Sequence, residues 1–203
     1  MRLYCATTNP GKLREFRLAA ERFGRGLVEF LPLPDLDRIP PAQESGRSFE
    51  ENAIQKALYY SRHAPGLVFA DDSGLEALAL GGAPGVNSAR FAGPEATDED
   101  NNRLLLEKLR GLEQRAARFV CVVTVAQRGK LVRAFRGVVD GRILEAPRGS
   151  NGFGYDPLFY YLPFGRSFGQ ISAERKLLVS HRGRALAEMI AWAIQRSETG
   201  RKD

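Results

Sequence analysis

The chain has two cysteines, two histidines and one tryptophan in 203 residues. So little cysteine excludes a disulfide scaffold or a cysteine-rich metal module. Cys5 and Cys121 each sit inside an apolar, strand-like run, which reads as a pair of buried thiols in a reducing, cytoplasmic setting. No apolar run approaches the roughly 18 residues of a membrane span. The start, Met1-Arg2-Leu3-Tyr4, turns polar too soon for a signal peptide. No block of Lys and Arg exceeds a few residues, which argues against a nucleic-acid tail. The phosphate loop G-x-x-x-x-G-K-[ST] is missing, so P-loop chemistry is set aside. Internal repeats and low-complexity tracts are also missing.

What remains is an ordinary globular composition. Hydrophobic residues make up 43%, enough for a substantial core. The length fits one domain or one domain with two lobes. Net charge is +6, from 30 basic and 24 acidic residues. That balance favours polyanionic ligands without separating nucleic acid from nucleotide.

One stretch organises the rest: Leu67-Val68-Phe69-Ala70-Asp71-Asp72-Ser73-Gly74. Its apolar start reads as a buried strand, with two acids at the C-terminal end, where open α/β sheets place ligand crevices. Desolvating two adjacent carboxylates without a cation is costly, and Mg²⁺ is the hard cation that accompanies phosphates. A plainer reading stands beside it. Ser73 and Glu76 form an S-x-x-E capping box, which predicts a helix over 74–80 and makes the acids simple turn residues.

Upstream, a strand over 3–7 leads through Thr8-Asn9-Pro10-Gly11-Lys12 into a helix with an apolar stripe at Leu13, Phe16, Ala20 and Phe23. Free N–H groups at that helix start suit a phosphate. Lys12 opposes the helix dipole there unless an anion shares the site. A second strand is expected over 27–31. The Pro-rich segment from Pro32 to Gly46 is too long for a plain connection and carries Asp35, Asp37 and Glu44. Ser48 and Glu51 then open a helix whose Lys56 flanks its buried face.

Gly81-Gly82-Ala83-Pro84-Gly85 is a strong breaker and a candidate hinge between lobes. Thr97 and the acids after it start a helix packed by Leu104, Leu105, Leu106 and Leu109. Runs over 119–126 and 131–139, joined at Gln127-Arg128-Gly129-Lys130, form the clearest hairpin, so the sheet is mixed. Gly149-Ser150-Asn151-Gly152-Phe153-Gly154-Tyr155-Asp156-Pro157 combines glycines, which allow close approach to a ligand, with rings able to stack on a base. A strand over 158–162 follows. Lys176, His181 and Arg182 cluster before the last helix as candidate donors. Residues 197–203 are expected to fray.

These pieces compose a nucleoside triphosphate site. Phosphoanhydride hydrolysis needs charge neutralisation, positioning and a base for water more than covalent help. Asp71 and Asp72 point to opposite faces of a strand, so one of them faces the cleft.

Seven blocks, in order, resemble the inosine triphosphate pyrophosphatase family: Thr8 to Lys12 with Glu15; Phe49 to Ala53 with Lys56; Asp71 to Leu75; Gly82 to Gly85; Ser88 to Arg90; Gly152 to Asp156; and Ser180 to Gly183. The resemblance runs from residue 3 to about 195. It implies an α/β fold of two lobes, with a long mixed β-sheet flanked by helices and the active site in the cleft between lobes, all within one domain over 1–196. It implies a Mg²⁺-dependent hydrolase that converts dITP, ITP and XTP to monophosphate and pyrophosphate, and a homodimer without nucleic-acid or membrane partners. Carried over by residue, Thr7, Thr8, Asn9, Pro10, Gly11 and Lys12 would hold phosphates, with Lys56. Asp72 would be proton acceptor and metal ligand, Ser73 a substrate contact, and Glu44 the second metal ligand. Phe153, Gly154, Tyr155 and Asp156 would cradle the base, completed by Lys176, His181 and Arg182. Three rivals remain: a pyrophosphatase for other modified nucleotides on a related fold, a basic nucleic-acid-binding module, and a catalytically silent nucleotide sensor.

Overall fold

A computed structural model describes residues 1–199. Seven strands form one sheet in the order β2-β1-β3-β4-β5-β6-β7. They are β1 (Arg2–Cys5), β2 (Glu29–Pro32), β3 (Val68–Ala77), β4 (Ala116–Gln127), β5 (Lys130–Ile143), β6 (Phe159–Tyr161) and β7 (Arg166–Ser167). Five helices flank it: α1 (Pro10–Gly24), α2 (Phe49–Tyr60), α3 (Asp98–Lys108), α4 (Ala173–Val179) and α5 (His181–Thr199). β1 runs parallel to β2 and β3, and every later pairing is antiparallel. The mixed sheet follows from the chain's own pattern. Parallel β1 and β2 need α1 as a crossover, whereas β4 and β5 are joined directly. Arg128 (φ 50°) and Gly129 (φ 74°) make that join, both left-handed as a two-residue hairpin turn requires.

Local signals place the helices. Asn9 caps α1, its Oδ1 accepting the Lys12 N–H at 3.0 Å, and Pro10 sits at the first position, where no N–H is missed. Ser48 Oγ caps α2 at the Glu51 N–H, but the Glu51 carboxylate takes the Arg47 N–H instead of closing the box on Ser48. Thr97 and Asp100 form a complete capping box on α3.

Four apolar clusters fill the fold; two small ones pack α2 on β3 and β4, and two are large. One packs α1 and α5 on β1, β3 and β4, with Phe69 against Phe16 and Phe30. The other gathers Leu75, Leu105, Phe119, Phe159 and Phe168 beneath α3 and the far strands.

Four expectations change. No α-helix runs over 74–80: β3 continues to Ala77, because β4 pairs with it at every position from Val68 to Ala77, and only a short 3-10 helix at Leu78–Leu80 follows. Asp71 and Asp72 therefore lie in mid-strand. Gly81–Gly85 is a turn that brings Pro84 back to bridge Glu76. α4, unread in the sequence, carries Lys176. The tail expected to fray from residue 197 is helical through Thr199, and residues 200–203 lie outside the described region.

Candidate active site

β3 outruns its parallel neighbour, and the overhang makes the site. β1 ends at Cys5, opposite Phe69, so Asp71, Asp72 and Ser73 have β4 on one side and no strand on the other. The crevice rule for parallel strands thus applies to the end of β1, while the acids sit on the longer strand beside it.

The two acids face opposite ways, as strand alternation requires. Asp71 faces α1 and α5, accepting from Lys12 Nζ at 2.9 Å and Arg182 Nε at 3.2 Å. Burial alone would raise its pKa, but Lys12, Arg182 and Lys56 outweigh burial and hold the carboxyl well below the usual range. Asp72 faces α2, accepting from Lys56 Nζ at 2.7 Å and Asn52 Nδ2 at 3.3 Å. Burial pushes its carboxyl upward, more than Lys56 pulls it down. Lys56 also lies 3.5 Å from Glu44 Oε1. Burial would lower the lysine's pKa, yet Asp72, Asp71 and Glu44 raise it, so the ammonium stays charged.

Thirteen of the expected residues border one cavity of about 250 Å³: Asn9, Lys12, Glu44, Lys56, Asp72, Ser73, Phe153, Gly154, Tyr155, Asp156, Lys176, His181 and Arg182. Asp71 does not border it. Neither do Thr7, Thr8, Pro10 and Gly11, which form the loop and first turn behind Asn9 and Lys12. The anion that accounts for Lys12 at a helix start is, in this structure, Asp71.

A buried ionic network forms part of the cavity wall. Glu15 of α1 accepts from Lys176 of α4 at 2.7 Å and from Arg182 Nη1 of α5. Arg182 Nη2 donates to Ser73 Oγ at 2.6 Å. Lys176 also pairs with Asp156, whose carboxylate takes the Phe153 N–H at 2.9 Å. Asp156 is 1% exposed, and its Oδ2 takes both of these bonds, which shapes the aromatic loop from within. Arg182 is likewise engaged at all three nitrogens. The Phe153 ring lies 4.8 Å from Lys176 Nζ and 5.5 Å from the Arg182 guanidinium carbon. His181 stacks on Phe119 at 4.6 Å. Burial, then Arg182 and Lys176, lower its pKa far enough to keep the ring neutral. Among the described residues its buried Nδ1 has no hydrogen-bond partner.

Sequence reading missed two positioning groups. Asn52 is fully buried and links Asp72 to the Pro-rich segment, since its Oδ1 accepts the Gly46 N–H at 2.8 Å. The available signal was its place four residues before Lys56, on one helix face. Glu15 stood in a recognised block, but nothing local marks it as the hub between α4 and α5.

Around one cavity the geometry gathers a carboxylate of raised pKa, two lysines and a glycine-aromatic loop. Known proteins share this chain's pattern. The Ham1 family profile matches residues 3–192. The dITP/XTP pyrophosphatase of Acidobacterium capsulatum is 50% identical over 198 residues, covering 93% of this chain and 96% of that protein. The dITP/XTP pyrophosphatase of Syntrophobacter fumaroxidans is 51% identical over 187 residues, covering 92% and 79%. Among solved structures, a HAM1 protein from Coxiella burnetii matches with a TM-score of 0.85 at 34% identity, covering 96% of this chain and 99% of that one. The chain belongs to the Ham1 family.

Proposed function

We propose that this protein hydrolyses non-standard purine nucleoside triphosphates, dITP and XTP among them, to the monophosphate and pyrophosphate. The observation that carries the reading is Asp72: a carboxylate of raised pKa that pairs with Lys56 and borders the same cavity as the Phe153–Asp156 loop. The names of the relatives support the substrate class.

Water attacks phosphorus and loses its proton to Asp72. The new bond is from water oxygen to phosphorus, and the bond to the bridging oxygen breaks to release pyrophosphate. A proton acceptor works best when its pKa approaches the working pH, which burial of Asp72 favours. Lys12 and Lys56 face the phosphates and offset charge that gathers on the leaving oxygens. Phe153, Gly154 and Tyr155 enclose the base, and neutral His181 offers it a ring nitrogen.

Glu44 and Asp72 fit Mg²⁺. They already share one cation, the Lys56 ammonium, at 3.5 and 2.7 Å. No cluster of three or more His, Cys, Asp or Glu suited to a metal exists among the described residues. The remaining ligands would be phosphate oxygens and water, as is usual for Mg²⁺ beside phosphates. When bound, the ion supplies charge neutralisation on the phosphates. A homodimer working in the cytoplasm completes the proposal. No helix of the described residues is long and apolar enough to cross a membrane.

The test is product identity. Incubation with dITP should release pyrophosphate and dIMP in the presence of Mg²⁺, with little release after chelation. Orthophosphate as the first product, or equal turnover of dATP, would refute the reading.

A further inference from the structure

One residue of the base-facing loop is held at both ends of its backbone by a helix that the catalytic reading leaves unused. Gly154, with φ 59°, donates its N–H to Asp98 Oδ2 at 2.6 Å. Its carbonyl accepts from Asn102 Nδ2 at 3.0 Å. Asp98 and Asn102 stand four residues apart on α3 and share a face. Among the described residues the Asn102 Oδ1 is buried without a partner, so the bond to Gly154 is the one its amide makes.

The same helix also holds a second segment of the cavity lining. Asn101 Oδ1 accepts the Ala92 N–H at 2.8 Å, and its Nδ2 donates to the Ala89 carbonyl at 3.2 Å. The Tyr155 hydroxyl crosses to the Ser88 carbonyl at 2.8 Å. Asp98, Asn101 and Ala89 border the cavity together with Gly154 and Tyr155. α3 therefore ties two loops, 85–92 and 149–157, into one wall.

We propose that Asp98 and Asn102 are positioning residues for base selectivity: they clamp the Gly154 peptide and so fix the loop that encloses the purine. The proposal rests on the reading of the cavity as a purine triphosphate site. The physical argument is entropic. A loop containing Gly149, Gly152 and Gly154 has many backbone states, and ordering it upon substrate binding weakens affinity. Two hydrogen bonds from a rigid helix order it beforehand. The contacts act on the base end, away from Asp72, so their loss changes substrate affinity and discrimination more than the chemical step.

The test uses the full chain and the variants Asp98→Ala, Asp98→Asn and Asn102→Leu, with two readouts. Steady-state kinetics are measured on dITP and dATP, and amide exchange is followed across 149–157. Loss of one such bond in Asp98→Ala should raise KM for dITP about tenfold and leave kcat within about threefold. The dITP-to-dATP ratio of kcat/KM should fall about tenfold, and the Gly154 amide should exchange faster. Asp98→Asn keeps an oxygen that accepts the same N–H and should restore each quantity to within about threefold of wild type. An unaltered Gly154 exchange rate in Asp98→Ala, or unchanged discrimination in both Asp98→Ala and Asn102→Leu, would overturn the clamp. So would a kcat loss equal for both nucleotides with exchange unaltered. Failure of the wild type to release pyrophosphate from dITP would refute the functional reading instead. Exchange at Gly154 judges the clamp independently of that outcome, since an unaltered rate in Asp98→Ala excludes it.

Discussion

Gly11 lies so close to Phe153 that a Cβ on it would come within 2.6 Å of the Phe153 Cδ1. Gly11 is the second residue of α1, and its backbone needs no left-handed conformation. The missing side chain is required by the ring alone. Gly11→Ala therefore separates two effects. The helix gains, since alanine is favoured over glycine in a helix by about 1 kcal/mol. The ring must shift from its present seat beside Lys176 and Arg182. The expected outcome is a melting temperature within a few degrees of wild type, with kcat/KM on dITP reduced about tenfold, an effect of about 1.4 kcal/mol. Full activity in Gly11→Ala would show that the ring's seat on α1 does not matter to the reaction.

Asp72→Asn retains the shape of the side chain and removes its capacity to take a proton. Loss of a positioned base lowers rates by roughly 10² to 10⁴. Hydrolysis should fall by that range, whereas ITP binding, followed by calorimetry, should change far less because Lys12 and Lys56 remain. Asp71→Asn tests the opposite face of the same strand. Asp71 does not border the cavity and binds Lys12 and Arg182, so this change should lower the melting temperature first. If Asp71→Asn, and not Asp72→Asn, abolished hydrolysis in a stable protein, the assignment of faces would be wrong.

The strand alternation behind that assignment shows how far residues alone carry the argument. Opposed faces for Asp71 and Asp72 follow from the two-residue period of any strand, and the hairpin at Arg128-Gly129 follows from turn chemistry. Both are local. Which acid faces the cavity depends on where β1 stops and α2 packs, and no window of sequence contains that. The S-x-x-E at Ser73–Glu76 is a genuine local helix signal overridden by ten consecutive pairings with β4. α4 was hidden for a similar reason: it is seven residues long, too short for a clear apolar period. The residues at the cavity were legible because they come in blocks. The groups that hold them, Asn52, Glu15, Asp98 and Asn102, were not, because each acts across a long stretch of chain.

Asn52 illustrates this positioning role. It is 0% exposed and bridges the Gly46 N–H and the Asp72 carboxylate. Asn52→Leu fills a similar volume but leaves that N–H unpaired, which costs about 1–3 kcal/mol. The melting temperature should fall by several degrees. Glu44 lies in the segment that Gly46 anchors, so the Mg²⁺ concentration giving half-maximal activity should also rise. An unchanged Mg²⁺ dependence in a destabilised protein would make Asn52 purely structural.

Glu15 contributes stability that is lost in acid. It is 7% exposed and its pKa lies at about 2, against an ordinary value of 4.5. Burial alone would raise it; Lys176 and Arg182 outweigh burial. The folded protein therefore binds this proton less tightly than the unfolded chain. Its contribution is fully present above pH 4.5 and disappears as pH falls toward 2. A displacement of that size corresponds to about 3 kcal/mol. Glu15→Gln leaves Lys176 with only Asp156 and Arg182 with only Asp71. At neutral pH the variant should be less stable than wild type by roughly 3–5 kcal/mol, the usual loss on breaking a buried ion pair. Between pH 4.5 and 2.5 the wild-type urea midpoint should drop faster than that of the variant, so the two curves converge. Asp71 shares the same direction of shift, which leaves the variant some slope of its own. Parallel curves across that interval would mean that Glu15 does not hold the two cations in solution.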